Sequence, residues 1–425
     1  MKRIFSLLLA VTLFGGIAMA GNPLQYQKSG NDRFSIKVQP FIGHYMTPNS
    51  SMRDMGVNGP TGINVGIEFP STQQRPWQQY LGNPTVGLGI SYIDLGHKDM
   101  GTGIAMYPYI MIHCISTEYF NLKFKVGAGL AAVQKHFYNT QDAPVHNRTF
   151  STVLNAYLTP GLNAEFPITR NLTINSEFGF FHMSNGRTVE PNKGANVPYG
   201  AVGLVTTFNP SPEEERTPIH FPDLPYKWSL NVTLGGGIHA ADETDEHRFP
   251  VATLHLGAMY NVNNWYGVGL GADLFYNDAI ANPETNRGMY VKTEEDWRRA
   301  RGGLSINNEF SFGAVSAIVN WGVYLFNPVR NLYNNDSPYY KIGEPRPLFY
   351  KSEETGVEEQ FHYIQFGVKC RVFDNVSVQA IVKTHMHIAE FVEFGISYRI
   401  PYISKDKRNG GKSIFHHKKA WWEEY

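Results

Sequence analysis

The sequence predicts an all-β fold, an antiparallel transmembrane β-barrel, and three observations support this prediction. Segments of about ten residues in which apolar and polar side chains alternate recur throughout the chain, as they do in barrels whose strands face lipid on one side. Residues 1–20 have the layout of a secretory signal peptide. The remaining sequence has no run of roughly 18 apolar residues, so it does not support a transmembrane helix.

The predicted signal peptide begins with two basic residues, continues with an apolar stretch and ends in Ala18-Met19-Ala20. Cleavage is expected before Gly21. No cysteine follows that point closely, so a lipoprotein anchor is not indicated. A secreted chain that also has barrel-type alternation is expected in the outer membrane of a Gram-negative bacterium.

Composition restricts the function classes. The chain has 37 Lys and Arg against 37 Asp and Glu, a formal net charge of zero, which argues against a nucleic-acid or polyanion partner. Aromatic residues make up 14% of the chain, which suits a soluble β protein or a membrane barrel with aromatic girdles. Cys114 and Cys370 can form one disulfide at most and no metal framework, so we interpret them as core or wall residues.

Alternating segments number about eight between residues 32 and 208 and about eight between 226 and 400. In one of them Leu122, Phe124 and Val126 oppose Lys123 and Lys125. The apolar face of each segment is expected to contact lipid, and the polar face to line the lumen.

The two sets of segments are separated by residues 209–225, which are too rich in Pro and Glu to form a strand. The predicted organisation is a signal peptide (1–20), a first barrel half (21–208), a linker (209–225), a second half (226–400) and a basic tail (401–425). Either two eight-stranded units or one barrel of about sixteen strands fits this pattern. The length of the linker favours two units, whereas the difficulty of inserting two closed barrels from one chain makes one barrel the preferred expectation.

The last predicted strand, residues 393–400, resembles the assembly signal of outer-membrane barrels, which implies the barrel assembly machinery as a partner during biogenesis. The tail beyond it shows no alternation and is interpreted as a loosely docked or disordered periplasmic segment. Metal binding by its His416 and His417 is the less favoured interpretation.

A histidine and a serine stand two residues apart on the strand predicted from residue 171 to 184. His182 and Ser184 share a face with Phe178 and Phe180, whereas Glu177 belongs to the opposite face. Residues two apart on a strand are about 7 Å apart at Cα, close enough for the imidazole to reach the hydroxyl. Polar groups that face hydrocarbon are costly and usually functional, so the pair is expected to act on a membrane lipid.

Chain direction predicts which leaflet this pair reaches. With the N-terminus in the periplasm, odd-numbered strands run outward, so this seventh strand ends at the outer rim and residues 185–196 form an extracellular loop. The pair would then lie level with outer-leaflet lipid, whose main component in Gram-negative bacteria is lipopolysaccharide.

These residues carry a family resemblance. The run His182-Met183-Ser184-Asn185, followed by Pro191-Asn192, Gly194 and a polar residue at 196, resembles the active-site segment of the lipid A 3-O-deacylase (PagL) and acyloxyacyl hydrolase-like family, outer-membrane serine esterases built on an eight-stranded barrel. About thirty residues carry the match in detail, and the second half lies outside the compact family form. The resemblance implies 3-O-deacylation of lipid A, without a metal or cofactor.

The resemblance also implies residue roles. Ser184 is the nucleophile, His182 is its general base, and Asn185 and Asn192 are candidates to stabilise the oxyanion. The third catalytic residue of the family is acidic, whereas this chain has Asn196. An asparagine can accept a hydrogen bond from the imidazole but supplies no charge, so Glu190 in the same loop is an alternative third residue.

The second half contains a similar but inward-facing pattern. Lys383, His385 and His387 alternate on the polar face of a predicted strand, so they are expected to point into the lumen. A structural polar network is the preferred interpretation, and a metal site or a second catalytic site is the alternative.

Two functions from different classes follow. The first is a serine esterase that hydrolyses an acyl ester of lipid A in the outer leaflet through an acyl-Ser184 intermediate. The second is a non-enzymatic outer-membrane porin or adhesin scaffold with a residual His-Ser pair. The first is preferred, because a pore does not require His and Ser on its lipid face.

Overall fold

The computed structural model describes residues 33–46, 50–71, 76–137, 147–209, 224–240, 248–281, 296–327, 361–385 and 388–402. Within these ranges the chain forms sixteen antiparallel strands. Eight are β1 (Phe34–Gly43), β2 (Thr61–Pro70), β3 (Thr85–Asp94), β4 (Thr102–Ser116), β5 (Asn121–Val133), β6 (Leu154–Pro167), β7 (Leu172–Ser184) and β8 (Ala195–Phe208). The others are β9 (Trp228–His239), β10 (Phe249–Asn261), β11 (Tyr266–Asn277), β12 (Ala300–Phe312), β13 (Val315–Phe326), β14 (His362–Arg371), β15 (Val376–His385) and β16 (Ile388–Tyr402).

Helical structure is limited to short connections. Helix α1 (Ser50–Met55) lies between β1 and β2, and α2 (Pro76–Tyr80) lies between β2 and β3. The connection from β11 to β12 contains two short 3-10 helices, Asp278–Ala281 and Asp296–Arg299. In the described part of the chain, no helix is both long enough and apolar enough to cross a membrane.

The sixteen strands form two closed barrels, β1–β8 and β9–β16. The predicted antiparallel barrel class is therefore confirmed, but the preference for one barrel of about sixteen strands is wrong. The first eight strands close because β8 returns to pair with β1, from Phe34 opposite Phe208 to Gly43 opposite Tyr199. In the same way β16 pairs with β9. Each closure satisfies both sheet edges, so no edge strand is left to join the two sets.

The strands of the first barrel form because their alternation matches a wall with lipid on one side and a packed lumen on the other. On β5, Phe124 and Val126 are exposed, whereas Lys123 and Lys125 between them are buried. This agrees with the faces predicted from the sequence.

Side chains fill the lumen of the first barrel. Lys37 Nζ lies 2.9 Å from Glu68 Oε1, and Lys123 Nζ lies 2.7 Å from Glu165 Oε2. A further buried ion pair joins Lys125 to Glu177. An eight-stranded barrel is just wide enough for its interior to be filled in this way.

The connections β1–β2, β3–β4, β5–β6 and β7–β8 all meet at one end of the first barrel, here called the distal rim. They pack around a buried apolar cluster that includes Tyr45, Met52, Leu95, Met100, Phe150 and Met183. Burial raises the pKa of the Tyr45 phenol well above its ordinary value. The phenol therefore stays protonated and donates a hydrogen bond to the Leu95 carbonyl oxygen at 3.0 Å.

The second barrel contains the predicted inward-facing polar network. Lys383 and His385 are buried, and both hydrogen-bond the Tyr324 hydroxyl, at 2.6 and 2.8 Å. Lys383 also pairs with Glu390. His387 lies outside the described residues.

The cysteines are both free thiols. Cys114 is exposed on β4 of the first barrel and Cys370 is half-buried on β14 of the second, so they occupy barrel walls. The predicted signal peptide and the histidines at 416 and 417 lie outside the described residues, and β16 extends to Tyr402.

Candidate active site

Strand β7 carries the predicted pair on its outer face. His182 and Ser184 alternate in register with Phe178, which is strongly exposed, whereas Asn175 and Glu177 of the opposite face are buried in the lumen. The side chains therefore belong to the outer face of the barrel wall, at the distal rim, where His182 is half-buried and Ser184 is buried. This is the placement that alternation predicts.

A hydrogen-bonded chain joins three side chains at this point. The Ser184 hydroxyl lies 2.9 Å from His182 Nε2, and His182 Nδ1 lies 2.7 Å from Asn196 Oδ1. An amide oxygen can only accept, so Nδ1 carries the ring proton and donates it to Asn196. Nε2 is then free of a proton and accepts the Ser184 hydroxyl hydrogen, as a general base must.

Strand pairing explains why these three side chains form a hydrogen-bonded chain. Asn196 lies directly opposite His182 in the β7–β8 ladder, so both side chains project from the same face. Two residues that follow β1 in sequence hold the other side of β8. The Met46 N–H donates to the Asn196 carbonyl oxygen at 3.0 Å, and the His44 N–H donates to the Pro198 carbonyl oxygen at 3.0 Å. The backbone at Asn196 is therefore fixed from both sides.

The loop after Ser184 brings the two predicted oxyanion residues together. The backbone N–H of Asn185 donates to Asn192 Oδ1 at 3.2 Å. This N–H immediately follows the predicted nucleophile, and it lies close to the buried Ser184. The loop thus joins the backbone donor that follows Ser184 to the Asn192 side-chain amide.

Gly194 closes this loop against the site. Its φ of +66° is in the left-handed region, and a Cβ built on it lies 3.1 Å from the Met183 carbonyl oxygen and 3.3 Å from Ser184 Cβ. Glycine adopts this conformation at no steric cost, and any side chain here would press against the Met183 carbonyl oxygen and Ser184.

Replacing Gly194 with alanine is therefore expected to lower activity by displacing Ser184 and His182, while the barrel still folds because the residue lies at the rim. Fatty-acid release from lipopolysaccharide measures the first effect, and heat-modifiable gel mobility measures the second. Alanine at Gly56, a positive-φ glycine next to α1 whose built Cβ meets nothing within 4 Å, is the matched control. Equal activity of the two variants would contradict a positioning role for Gly194.

The loop is supported by a brace of hydrogen bonds from residues 148–151, which no sequence pattern indicates. The Lys193 N–H donates to the Arg148 carbonyl oxygen at 3.3 Å, and the Gly194 N–H donates to the Thr149 carbonyl oxygen at 3.0 Å. The Ser151 hydroxyl also donates to the Pro191 carbonyl oxygen. These contacts join positions about forty residues apart, so no local pattern in the sequence marks them.

The alternative third residue, Glu190, forms an ion pair with Arg187, whose Nε lies 2.6 Å from Glu190 Oε1. Both ring nitrogens of His182 are occupied by Asn196 and Ser184. Asn196 is therefore the residue that holds the imidazole. Among the described residues, no group of three or more His, Cys, Asp or Glu side chains could hold a metal ion.

The first eight strands form a closed barrel, and its outer face carries the Ser-His-Asn chain. These two features define the class of protein as an outer-membrane barrel with an enzyme-like site. Residues 61–204 match the model of the lipid A 3-O-deacylase (PagL) family. Residues 228–343 and 348–402 match the model of the acyloxyacyl hydrolase C-terminal domain. Together the matches span more than half of the chain. The chain therefore belongs to the lipid A deacylase family and is an acyl hydrolase of the Gram-negative outer membrane.

Two solved structures are similar to part of this chain. The outer membrane enzyme PagL is 15% identical over 40% of this chain and 97% of its own, with a TM-score of 0.27. The N-terminal β-barrel domain of Pseudomonas aeruginosa OprF is 17% identical over 41% and 97% of the two chains, with a TM-score of 0.23. A comparison with curated protein sequences gave no match.

Proposed function

We propose that the first barrel is a serine esterase that removes an acyl chain from lipid A, the 3-O-linked chain according to the family resemblance. The observation that carries this proposal is the chain Ser184 to His182 to Asn196, with contacts of 2.9 and 2.7 Å, on the lipid face of the barrel. A soluble ester would not require these groups to face hydrocarbon, whereas a membrane lipid would.

The reaction begins with proton transfer. His182 Nε2 removes the proton from Ser184 as Oγ attacks the ester carbonyl carbon, which gives a tetrahedral intermediate. The intermediate collapses when His182 returns the proton to the departing sugar oxygen, which leaves the acyl group on Ser184. Water then attacks this acyl-enzyme, with His182 as its base, and the fatty acid and the free Ser184 hydroxyl are formed.

Charge that develops on the ester oxygen is stabilised at the start of the loop. The Asn185 N–H donates to Asn192 Oδ1 at 3.2 Å, which is the long end of the normal range. The oxyanion is a stronger acceptor than an amide oxygen, so it replaces Asn192 as the partner of this N–H. The Asn192 side-chain amide is the candidate second donor.

Asn196 orients the imidazole without charge. Its amide oxygen fixes the tautomer in which Nε2 is the base, as asparagine does in Cys-His-Asn proteases. It provides no carboxylate for the imidazolium that forms in the transition state. The site therefore has the geometry of a triad with weaker electrostatic stabilisation.

The filled lumen argues against a porin. The ion pairs formed by Lys37, Lys123 and Lys125 cross an interior of only eight strands. A wide charged channel is not compatible with such packing in the first barrel.

Mass spectrometry of lipid A tests the proposal directly. Cells that produce the protein are expected to contain lipid A that has lost one acyl chain, and cells without it, or with Ser184→Ala, should keep the full set. Identical lipid A in all three strains would overturn the proposed function.

Glu190→Gln is expected to leave fatty-acid release close to the parent level, because Glu190 pairs with Arg187 rather than with the ring of His182. The measurement is turnover of purified lipopolysaccharide in detergent, with Asn196→Ala assayed alongside. If Glu190→Gln is the damaging change and Asn196→Ala is nearly silent, Glu190 is the true third residue.

A further inference from the structure

The lipid face of the first barrel has a notch at Gly200. In the described strands of this barrel, the other glycines lie on the inward face, in register with residues such as Lys125, Glu177 and Tyr199. Gly200 instead lies on the outward face of β8, in register with Asn196 and Val202. A Cβ built on it meets nothing within 4 Å, so the surface is open at this point.

Two large apolar side chains flank the notch. Gly200 lies opposite Phe178 on β7 and opposite Ile42 on β1. Phe178 and Ile42 are 70% and 69% exposed, the highest values among the apolar side chains of this barrel's strands. They are uncovered because Gly200 places no side chain between them. The notch therefore has a backbone floor and two apolar walls.

The notch lies below the catalytic residues on the same strands. From Ser184 down β7 to Phe178 is six residues, about 20 Å along the strand. With a strand tilt of roughly 40°, this corresponds to a depth of about 15 Å. The hydrocarbon core is about 30 Å thick, so one leaflet is about 15 Å deep. An acyl chain whose ester lies at Ser184 therefore reaches Gly200 only if it is long enough to follow the strand over about 20 Å, to near the middle of the bilayer.

We propose that the notch formed by Gly200, Phe178 and Ile42 receives the methyl end of the acyl chain that is cleaved at Ser184, and that it sets the preferred chain length. This inference rests on the proposed function. The acyl chain moves from the lipid bilayer to the notch, and both are hydrocarbon environments. The hydrophobic effect therefore contributes little, and selection between acyl chains depends on shape. A chain of matching length fills the notch and contacts both walls, whereas a shorter chain does not reach it.

Gly200→Leu tests the role of the notch. Gly200 has no positive φ, and its built Cβ has open space around it, so a leucine fits without backbone strain. The added side chain fills the notch with a group suited to the lipid face. Gly200→Ala fills it partly, so a graded effect is expected across the two variants.

The second barrel offers a matched control. Gly236 lies on the lipid face of β9, opposite Phe394 on β16, which is 67% exposed, and opposite Ala252 on β10. A Cβ built on Gly236 has one neighbour, the Val251 carbonyl oxygen at 3.5 Å. Gly236→Leu therefore makes the same surface change on a barrel that lacks the Ser-His-Asn chain.

The substrates are synthetic lipid A molecules whose 3-O-acyl chain is decanoyl, tetradecanoyl or hexadecanoyl, in phospholipid vesicles, with released fatty acid measured by mass spectrometry. Gly200→Leu is expected to lower kcat/KM for the longer chains by roughly tenfold or more relative to decanoyl, which should be unchanged. Gly236→Leu should match the parent at every length, and heat-modifiable mobility should show that all variants are folded.

The outcomes separate the two proposals. If the parent releases fatty acid and Gly200→Leu leaves the ratio of kcat/KM between chain lengths unchanged, or lowers kcat/KM equally for all lengths, the notch does not set the preferred chain length. The notch is also rejected as the determinant of chain length if Gly236→Leu shifts the ratio between chain lengths as Gly200→Leu does. If the parent releases no fatty acid that depends on Ser184, the proposed function fails, and the role of the notch fails with it.

Discussion

Replacing Ser184 with alanine is expected to abolish release of fatty acid from lipid A, a loss of roughly ten-thousand-fold or more by comparison with other serine hydrolases. The hydroxyl is the group in the hydrogen-bonded chain that forms the acyl intermediate of the proposed reaction. Its removal leaves His182 and Asn196 in place but without a nucleophile to activate. The measurement is mass spectrometry of fatty acid released from purified lipopolysaccharide in detergent.

The strand itself supplies a control for this variant. Ser176 lies on the same outward face of β7, eight residues before Ser184, and pairs across to Ala164 and Val202 rather than to a histidine. Ser176→Ala should keep full activity, and both variants should show the heat-modifiable mobility of the parent. Substantial turnover by Ser184→Ala would remove it as the nucleophile.

Changes at Asn196 are expected to have the next largest effects. Asn196→Ala removes the acceptor that lies 2.7 Å from His182 Nδ1, so the ring is free to adopt the wrong tautomer or to rotate. The loss expected from other triads is on the order of ten- to thousand-fold. Asn196→Glu restores the family's charge, and Asn196→Asp places a carboxylate on a side chain of unchanged length. Both should raise turnover, because a carboxylate stabilises the imidazolium.

Double variants test whether these residues act as one unit. In a triad the effects are strongly non-additive, so Asn196→Ala added to Ser184→Ala should cause little further loss. Turnover of purified lipopolysaccharide at several pH values is the measurement. If Asn196→Ala, Asn196→Glu and Asn196→Asp all match the parent, Asn196 does not orient His182.

The sequence predicts faces well because the side-chain period of a strand is two. That period alone places His182 and Ser184 beside Phe178 on the lipid side, and Lys383 and His385 inside the second barrel. The residue opposite His182 could be named only through the family resemblance, because the β7–β8 register depends on the loop between the strands.

Barrel closure was not predictable in the same way. Pairing of Phe34 with Phe208 joins residues far apart in sequence through backbone hydrogen bonds, which leave no local signature. The brace from Thr149 to Gly194 and the open surface at Gly200 depend on such long-range pairing as well. Features of this kind become visible only when the register of every strand is known.

The outward placement of Ser184 has a kinetic consequence for the proposed lipid A esterase. The substrate reaches the site by lateral diffusion within the leaflet, so it never has to leave the bilayer and no extraction step precedes catalysis. Velocity is then governed by the mole fraction of lipid A in the surface, not by its concentration in the surrounding solution. Any lipid that dilutes lipid A in the outer leaflet acts as an inhibitor without binding to the protein, and the cell can regulate the enzyme through the composition of its own membrane.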